Sequence, residues 1–350
     1  MSSKRTPYGW SSTVTSSRRQ SEATPVPGHA LVSGLGSIGR RHLRHLRAAG
    51  VGRIDAYRTG KATLPDDGQP PPDVVFHDLD EALAAGPELV VVANPTALHL
   101  PVALAALRAG CHVLVEKPLS HSLAGCDELA AAAEAAGVFA GVAYNLRFHP
   151  LLVRVHAMAA SGEPLGRPLL ARAHVGGYLP DWHPWEDYRR GYAARRDLGG
   201  GAALTNSHEI DEVQWLLGPA RWAGGTSLPG GPLGTDVDEA SVVCLRHGSG
   251  AVSTVSLSLV ERPPARTLHL DFERGRVEVD LIGGELRILR PEGPAEVESV
   301  PEGYSFDETY AEQVRAVFRA MAGGPSTVAT LADGVAVLRV IERIEGMEAG

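Results

Sequence analysis

The sequence predicts an α/β protein: a doubly wound parallel sheet at the amino end, followed by an α+β domain with a large open, mainly antiparallel sheet. Residues 29–145 alternate short apolar runs with helical patterns, and strands that alternate with helices form parallel sheets covered on both faces. From about residue 168, strand patterns follow one another across short turns, which is typical of antiparallel pairing. A length of 350 residues also suits two domains.

The first domain is expected at residues 29–146. It follows a disordered tail at residues 1–28, whose Ser-, Thr- and Arg-rich composition buries too little apolar surface to fold. Its buried-strand patterns are "HALVSG", "RIDAYR", "LVVVAN", "CHVLVEKP" and "VFAGVAYN". The helical patterns between them are "GRRHLRHLRAAG", "LDEALAAG", "TALHLPVALAALRAG" and "HSLAGCDELAAAAEAAG".

The second domain is expected at residues 147–350. Its strand candidates are "PLLARAHVGGYL", "DEASVVCLRHG", "GAVSTVSLSLVER", "RTLHLDFERG", "GRVEVDLIG" and "GELRILR". The Gly- and Pro-rich stretch 224–236 is predicted to be a mobile loop. Two helices, "SFDETYAEQVRAVFRAMAGG" and "TLADGVAVLRVIERIEG", close the chain and can pack back on the first domain.

Composition narrows the class of protein. A net charge of −8 argues against a general nucleic-acid binder, and no apolar run is long enough to cross a bilayer. The amino-terminal residues lack the apolar core of a secretory signal. Three scattered cysteines indicate buried thiols in a reducing cytoplasm rather than disulfides or a zinc cluster, and "HEID" has only one of the two histidines of a zinc helix. We expect a cytoplasmic protein without a metal.

The stretch "LVSGLGSIGRRHLRHL" has the pattern of a dinucleotide-binding turn of the Rossmann type, with Gly34, Gly36 and Gly39 between a strand and a helix. Gly34 permits the tight turn, Gly36 lets the backbone approach a pyrophosphate, and Gly39 lets helix and strand pack closely. Ser37 and Ile38 complete the turn, whose free N–H groups would meet the phosphates. The alternative is a purely structural turn.

The end of the second strand bears on the choice between NAD and NADP. An acidic residue there would bind the ribose 2′-hydroxyl, whereas Asp55 lies inside the strand and the strand ends in Arg58 and Thr59. Arg58 would accept a 2′-phosphate, so the sequence favours NADP slightly and leaves NAD open. Arg40 and Arg41 either reach phosphate or form a solvated helix face.

Four motifs together resemble the family of glucose–fructose oxidoreductase and inositol dehydrogenase (Gfo/Idh/MocA). They are "GLGSIGRRH", "ANPTALH", "VEKPLS" and the long "GYLPDWHPWEDYRRGYAARRDLGGGAALTNSHEID", and the resemblance covers residues 29 to about 345. It implies a Rossmann domain that carries NAD(P) and a second sheet that shapes the substrate pocket. It also implies sugar, amino sugar or cyclitol substrates, and a homodimer or homotetramer formed through that sheet.

The resemblance also assigns residues. Lys117 would lie beside the nicotinamide and the reacting hydroxyl, and His208 would match the family's catalytic histidine. Many members carry an aspartate three or four residues before that histidine, where this chain has Thr205 and Leu204, so the usual Lys–Asp–His set is incomplete. Further residues assigned to the cofactor side are Asn94, Pro95, His99 and Glu116.

Lys117 and His208 are therefore the predicted acid/base pair. A lysine that is partly desolvated and lies near a cationic nicotinamide has a lowered pKa and can act as a base near neutral pH. The alternative is a surface lysine. For His208, Asn206 and Glu209 are expected to form a capping box at a helix start. A carboxylate one turn later, from Asp211 or Glu212, would orient the imidazole. The alternative is a structural histidine.

Aromatic residues cluster between residues 178 and 192, although only 5% of the chain is aromatic. Their faces suit sugar rings and ammonium groups, while nearby arginines suit a phosphate or carboxylate; a packed loop is the alternative. The predicted substrate-binding residues are Tyr144, Arg147, Trp182, Trp185, Tyr188, Thr205, Asn206 and Asp211.

Taken together, the sequence predicts an NAD(P)-dependent dehydrogenase or reductase. Its substrate would be a secondary alcohol or ketone of a sugar, amino sugar, cyclitol or aminoglycoside. One alternative keeps the cofactor but makes no net redox change, as in an epimerase or glycosidase. The other is a non-catalytic NAD(P)-binding regulator, against which the intact Lys117 and His208 argue.

Overall fold

The computed structural model describes residues 24–60, 70–182 and 187–346. Its first part alternates strands with helices. The strands are β1 (His29–Ser33), β2 (Arg53–Tyr57), β3 (Val75–Phe76), β4 (Leu89–Val92), β5 (His112–Val115) and β6 (Ala140–Val142). The helices are α1 (Ser37–Ala48), α2 (Leu79–Ala84), α3 (His99–Arg108), α4 (Cys126–Ala136) and α5 (Pro150–Ser161).

The second part is richer in strands. They are β7 (Pro168–Tyr178), β8 (Ala220–Pro229), β9 (Asp238–His247), β10 (Val252–Ser258), β11 (Val260–Phe272), β12 (Gly275–Asp280), β13 (Glu285–Leu289), β14 (Glu296–Ser299) and β15 (Ala329–Thr330). The helices are α6 (Leu179–Trp182), α7 (Ala202–Thr205), α8 (His208–Leu217), α9 (Glu308–Met321) and α10 (Leu331–Gly346).

The first sheet has the order β15-β6-β5-β4-β1-β2-β3, and β1 to β6 are parallel. The chain returns to it late, because β15 pairs antiparallel with β6. The strand order reverses at β1, so the carboxyl ends of β1 and β4 flank the crevice where such sheets bind ligands. The predicted doubly wound parallel sheet is confirmed.

The second sheet has the order β14-β13-β12-β11-β7-β10-β9-β8 and is antiparallel except for the pair β10 and β7. One face is covered, and Val255, Leu257, Leu268 and Leu270 on it are buried. The other face is open; Val242, for example, is 46% exposed. The expected large, open, mainly antiparallel sheet is confirmed.

Some predicted element boundaries were wrong. Helix α4 begins at Cys126 rather than near residue 121, because Gly125 at φ +82° breaks the chain direction just before it. The predicted loop 224–236 begins as strand, since Gly224 and Gly225 pair with Cys244 and Val243 of β9. A Cβ on Gly225 would lie 2.3 Å from the Val242 carbonyl oxygen, so this strand needs the glycine that suggested a loop.

The strand predicted at residues 250–262 is two strands. Strand β10 ends at Ser258, and β11 continues from Val260 through Pro263 and Pro264 to Phe272. Prolines are tolerated there because the pairing of β11 with β7 is irregular between Val260 and Ala265.

Residues 1–23 of the predicted tail lie outside the described residues. Within the described part, Gly28 is already fixed, since its N–H donates to the Glu88 carboxylate at 2.7 Å. In the described ranges, no helix is both long and apolar enough to cross a bilayer.

Candidate active site

The glycine turn leaves β1 and enters α1. Gly34 has φ +93°, and a Cβ on it would lie 2.7 Å from the Ala93 carbonyl oxygen. A Cβ on Gly39 would lie 1.9 Å from the Gly34 carbonyl oxygen, so helix and turn pack directly on each other. In contrast, no heavy atom lies within 4 Å of the Cβ position of Gly36. The free space at Gly36, beside the uncapped amino end of α1, fits a pyrophosphate.

Past the turn, β2 ends without an acidic residue for a ribose. Asp55 is fully buried within the strand, and its carboxylate is paired with His29 at 2.9 Å and with Arg53 at 2.7 Å. Arg58 follows the strand, and its Nε atom is enclosed without a hydrogen-bond partner in the described part of the chain. The charged side chain that follows this strand in the described ranges is therefore positive.

The loop after β4 carries Asn94, whose side-chain nitrogen donates to the Leu98 carbonyl at 2.9 Å. Its side-chain oxygen is enclosed and has no partner among the described residues. His99 is buried, and its ring nitrogens lie 2.9 Å from the Asn94 and Pro118 carbonyl oxygens. Burial lowers the His99 pKa, so the neutral ring donates to one of the two. His99 joins the two loops at the carboxyl edge of the sheet and has no free nitrogen for a ligand.

Glu116, directly after β5, is also held from two sides. One carboxylate oxygen lies 2.6 Å from His42 Nε2 of α1, and the other accepts from the Lys117 backbone N–H at 3.1 Å. Burial raises the pKa of Glu116, but His42 and Lys117 outweigh it and leave the pKa below its usual value. An ionised Glu116 thus fixes the backbone of the lysine that follows it.

Lys117 reaches across to the second part of the chain, where its Nζ donates to the Thr205 carbonyl oxygen at 2.7 Å. Its pKa is lowered by burial first and by the Arg266 charge, although Glu116 and Glu209 oppose this. A neutral amine that donates one hydrogen to Thr205 keeps a lone pair for a ligand proton. We call the space bordered by Lys117, Thr205, His208 and Arg266 the site cleft.

His208 is the first residue of α8, but the predicted capping box is wrong. Asn206 ends the short helix α7, and Ser207 before α8 has helical dihedrals and no capping hydrogen bond. Two helices follow each other almost without a break, so no residue takes the extended conformation that an N-cap needs. Glu209 instead accepts from Arg266 Nε at 2.7 Å.

The His208 ring packs edge-on against Tyr144, with 5.6 Å between ring centroids. Its Nδ1 is enclosed without a partner among the described residues. Burial, then the charges of Lys117 and Arg266, hold the His208 pKa well below its usual value. These surroundings favour the neutral imidazole, which can donate or accept a hydrogen bond.

The carboxylates expected to orient His208 do other things. Asp211 accepts two hydrogen bonds from the Arg147 guanidinium, at 2.6 and 2.9 Å, and both side chains are buried. This pair ties α8 to the end of the first sheet and is not open to a substrate. Glu212 is buried, and burial followed by the Glu209 charge raises its pKa well above the usual value.

The aromatic residues between positions 178 and 192 differ in their exposure and in their contacts. The Tyr188 hydroxyl donates to the Leu233 carbonyl at 2.9 Å, which anchors the loop. Trp182 is 38% exposed and packs over Gly177. Tyr192 is 40% exposed. Trp185 lies outside the described residues.

Three predicted substrate residues, Tyr144, Thr205 and Asn206, have enclosed polar atoms without partners in the described chain. Sequence reasoning missed His42 and Arg266. The sequence pattern could have indicated Arg266, because it lies two and four residues before the buried Leu268 and Leu270 and so shares their inward face. His42 had none beyond its place on the buried face of α1. Among the described residues, no group of His, Cys, Asp and Glu is arranged to hold a metal.

Family comparison agrees with this geometry. Residues 29–144 match the GFO/IDH/MocA family model, described as an oxidoreductase family with an NAD-binding Rossmann fold. Residues 152–278 match the model of the GFO/IDH/MocA C-terminal domain.

The curated relatives include two that are 30% identical to this chain over the matched residues and cover more than half of it. One is 1,5-anhydro-D-fructose reductase of Ensifer adhaerens, where the match covers 61% of this chain and 62% of the relative. The other is D-xylose 1-dehydrogenase (NADP(+)) 2 of Haloferax volcanii, with 77% of this chain and 82% of the relative covered. The chain thus spans less than two thirds of the first of these proteins and over four fifths of the second.

Solved structures share the fold across nearly the whole chain. GenD2 from gentamicin A biosynthesis, in complex with NAD, is 27% identical with a TM-score of 0.75, covering 93% of this chain and 95% of that one. Levoglucosan dehydrogenase in complex with NADH and levoglucosan has a TM-score of 0.79 at 19% identity, covering 92% and 97%, and supports the fold alone.

Proposed function

This chain belongs to the Gfo/Idh/MocA family of NAD-binding oxidoreductases, and from that premise we propose that it is an NAD(P)-dependent dehydrogenase or reductase. The substrate is a secondary alcohol, or the matching ketone, of a sugar-like molecule. The observation that carries the proposal is the meeting of Lys117 Nζ with the Thr205 carbonyl at 2.7 Å, three residues before His208. Lys117 and His208 also lie close enough for the charge of the first to act on the second.

The chain's own part in the reaction is to hold and move a proton. A bound nicotinamide supplies hydride transfer, the chemistry that no side chain offers. Lys117, fixed through Glu116 and Thr205, accepts the hydroxyl proton of an alcohol when its amine is neutral; in the reverse direction it returns the proton to a carbonyl oxygen. His208 offers Nε2 to the same oxygen and acts as the second member of the pair.

A polyhydroxylated ring suits the rest of the cleft. The buried Thr205 hydroxyl and Asn206 amide nitrogen have no partner among the described residues, and buried polar groups normally have one. Relatives are named for 1,5-anhydro-D-fructose, D-xylose, levoglucosan and inositol, all rich in hydroxyl groups. Trp182, and by the sequence Trp185 and Tyr188, remain proposed walls for such a ring.

A cofactor-reduction screen tests the function. Purified protein is mixed with NAD⁺ or NADP⁺ and with myo-inositol, D-xylose, levoglucosan, glucosamine or an aminoglycoside, and the appearance of reduced cofactor is followed. We expect reduction with at least one compound. Cofactor that co-purifies and never turns over in bulk would instead favour a reaction without net redox change. Binding with no chemistry at all would favour a regulator.

One feature of the chain favours the alternative of a reaction without net redox change. Thr205 and Leu204 stand where many relatives carry a catalytic aspartate, so the proton relay of the family is altered here. A relative named 2,7-anhydro-N-acetylneuraminate hydratase, from Escherichia coli, is 25% identical over 57% of this chain. Single-turnover exchange of a substrate hydrogen into bound cofactor would identify this class.

For the cofactor, we propose that Arg58 binds the 2′-phosphate of NADP. Changing Arg58 to serine is expected to weaken NADP⁺ by about tenfold or more, because a charge-assisted hydrogen bond contributes roughly 1.5–3 kcal/mol. NAD⁺ should change little. Dissociation constants from calorimetry give the comparison, with Arg108→Ser, which removes a surface pair with Glu128, as the control. An equal loss for both coenzymes would mean that Arg58 does not read the phosphate.

We also propose that the open face of the second sheet forms a homodimer or homotetramer. Trp222, Val242 and Val252 on strands β8 to β10 are each more than two fifths exposed, and such patches usually mark an interface. Light scattering on the purified chain decides this, and a monomer at micromolar concentration would contradict it.

A further inference from the structure

Arg266 is an inward-facing arginine on a strand whose other inward residues are apolar. Leu268 and Leu270 lie on the same face of β11, at every second position after Arg266, and are fully buried in the core of the second sheet. Arg266 stands at the end of this row, beside the first turn of α8. Its Nε donates to Glu209 at 2.7 Å, and the Glu209 side chain is only 1% exposed. Burying a charged pair costs desolvation free energy, so a pair retained at this position is expected to have a function.

The outer edge of the guanidinium is open. The Arg266 side chain is 21% exposed, and its two terminal nitrogens make no hydrogen bond within the described residues and are not enclosed. Glu209 takes the inner nitrogen from behind, which leaves up to four N–H groups for the site cleft. Arg266 is hydrogen-bonded to Glu209, the residue that follows His208, and its charge acts on both Lys117 and His208, so the guanidinium lies near the proposed reacting groups.

We propose that Arg266 is a substrate-binding residue whose outer nitrogens donate to two neighbouring uncharged oxygens of the sugar-like substrate, with Glu209 as its positioning residue. The proposal rests on the proposed function and names the group that the second sheet contributes to it. A planar guanidinium presents parallel donors at the spacing of adjacent ring oxygens, so it selects a vicinal diol and fixes its orientation.

The oxygens are taken as neutral because of the charges already present. Glu209 compensates Arg266, so the pair as a whole has no charge left to neutralise a carboxylate. An anion bound here would also raise the pKa of Lys117, which acts as a base only when neutral. The charged and titratable groups that act on Lys117 are Glu116, Glu209, Arg266 and His208.

Two substitutions separate donor geometry from charge. Arg266→Met removes both, and the KM for the best neutral substrate of the screen is expected to rise at least tenfold. The acidic limb of its kcat/KM profile should also move to higher pH, since loss of a nearby cation lets the Lys117 pKa rise. Arg266→Lys keeps the charge but loses the parallel N–H donors of the guanidinium, so its KM rises while its pH profile stays close to that of the parent. Arg167→Met, which removes a surface pair with Glu273, is the control.

An unchanged KM in Arg266→Met would overturn the proposal. So would a parent enzyme that prefers the carboxylate form of the same sugar and loses that preference in Arg266→Met. If the parent turns over no compound in the screen, the proposed function fails on its own. Calorimetric binding of myo-inositol in the presence of NADH then decides for Arg266. Weaker binding by Arg266→Met supports it, and equal or absent binding by both proteins overturns it.

Discussion

Changing Lys117 to methionine is expected to lower kcat by about a thousandfold and to leave the affinity for the dinucleotide within a few-fold. Methionine keeps the length and most of the volume of the side chain but cannot exchange a proton. General acid–base catalysis contributes about 10²–10⁴ to a rate, and Lys117 is the firmer member of the proposed pair. Steady-state kinetics with the best compound of the screen, beside calorimetric titration of NADH, measures the two effects.

Lys117→Arg is the informative control for this prediction. It places a permanent positive charge beside Glu116 and Thr205 and cannot release a proton near neutral pH, because a guanidinium stays protonated. A base role predicts that this variant is nearly as slow as Lys117→Met. If Lys117→Arg retains most of the parent rate, the lysine serves as a fixed charge and the proton goes elsewhere, with His208 the next candidate. Equal rates in all three proteins would remove Lys117 from the mechanism.

Among the substitutions considered, Arg147→Leu is expected to lower the free energy of unfolding the most. The substitution leaves Asp211 buried with a 3% exposed side chain and without its two hydrogen bonds from the guanidinium. Removal of one partner from a buried ion pair costs roughly 3–5 kcal/mol, because the remaining charge is uncompensated. The midpoint of urea unfolding, followed by circular dichroism, should therefore fall clearly below that of the parent.

The matched control is Arg262→Leu, which breaks a two-point pair with Asp181 on the surface, where both side chains are more than half exposed. Exposed pairs contribute little, so its midpoint should stay near that of the parent. Replacing Asp211 by leucine as well as Arg147 removes the uncompensated charge and should recover part of the loss. Equal shifts for Arg147→Leu and Arg262→Leu would show that the buried pair has no special weight.

Local signals in the sequence were sufficient for much of the fold and part of the site. The turn at Gly34, Gly36 and Gly39 could be read because each glycine answers a steric demand that is set within a few residues. The role of Lys117 stays a prediction; the sequence could place it only at the carboxyl edge of the parallel sheet, two residues after β5. Strand and helix alternation likewise predicted both sheets, since each pattern has its own period.

What the sequence did not predict depends on distant partners. His42 and Glu116 are 74 positions apart, and Glu209 and Arg266 are 57 apart, so neither pair leaves a local pattern. The capping box failed because α7 and α8 follow each other without an extended residue between them, and because Glu209 pairs with the distant Arg266 on β11. Pairing with β9 similarly turned the glycines at 224 and 225 into strand.

The hydrogen bond between His42 and Glu116 has a mechanical consequence. Helix α1, which begins at the glycine turn, and the loop that carries Lys117 are joined by this buried hydrogen bond of 2.6 Å. The distance between the proposed diphosphate site and the lysine amine is therefore fixed before any ligand binds. The hydrogen bond from Lys117 Nζ to the Thr205 carbonyl, at 2.7 Å, joins the side of the cleft that carries His208 to the same loop.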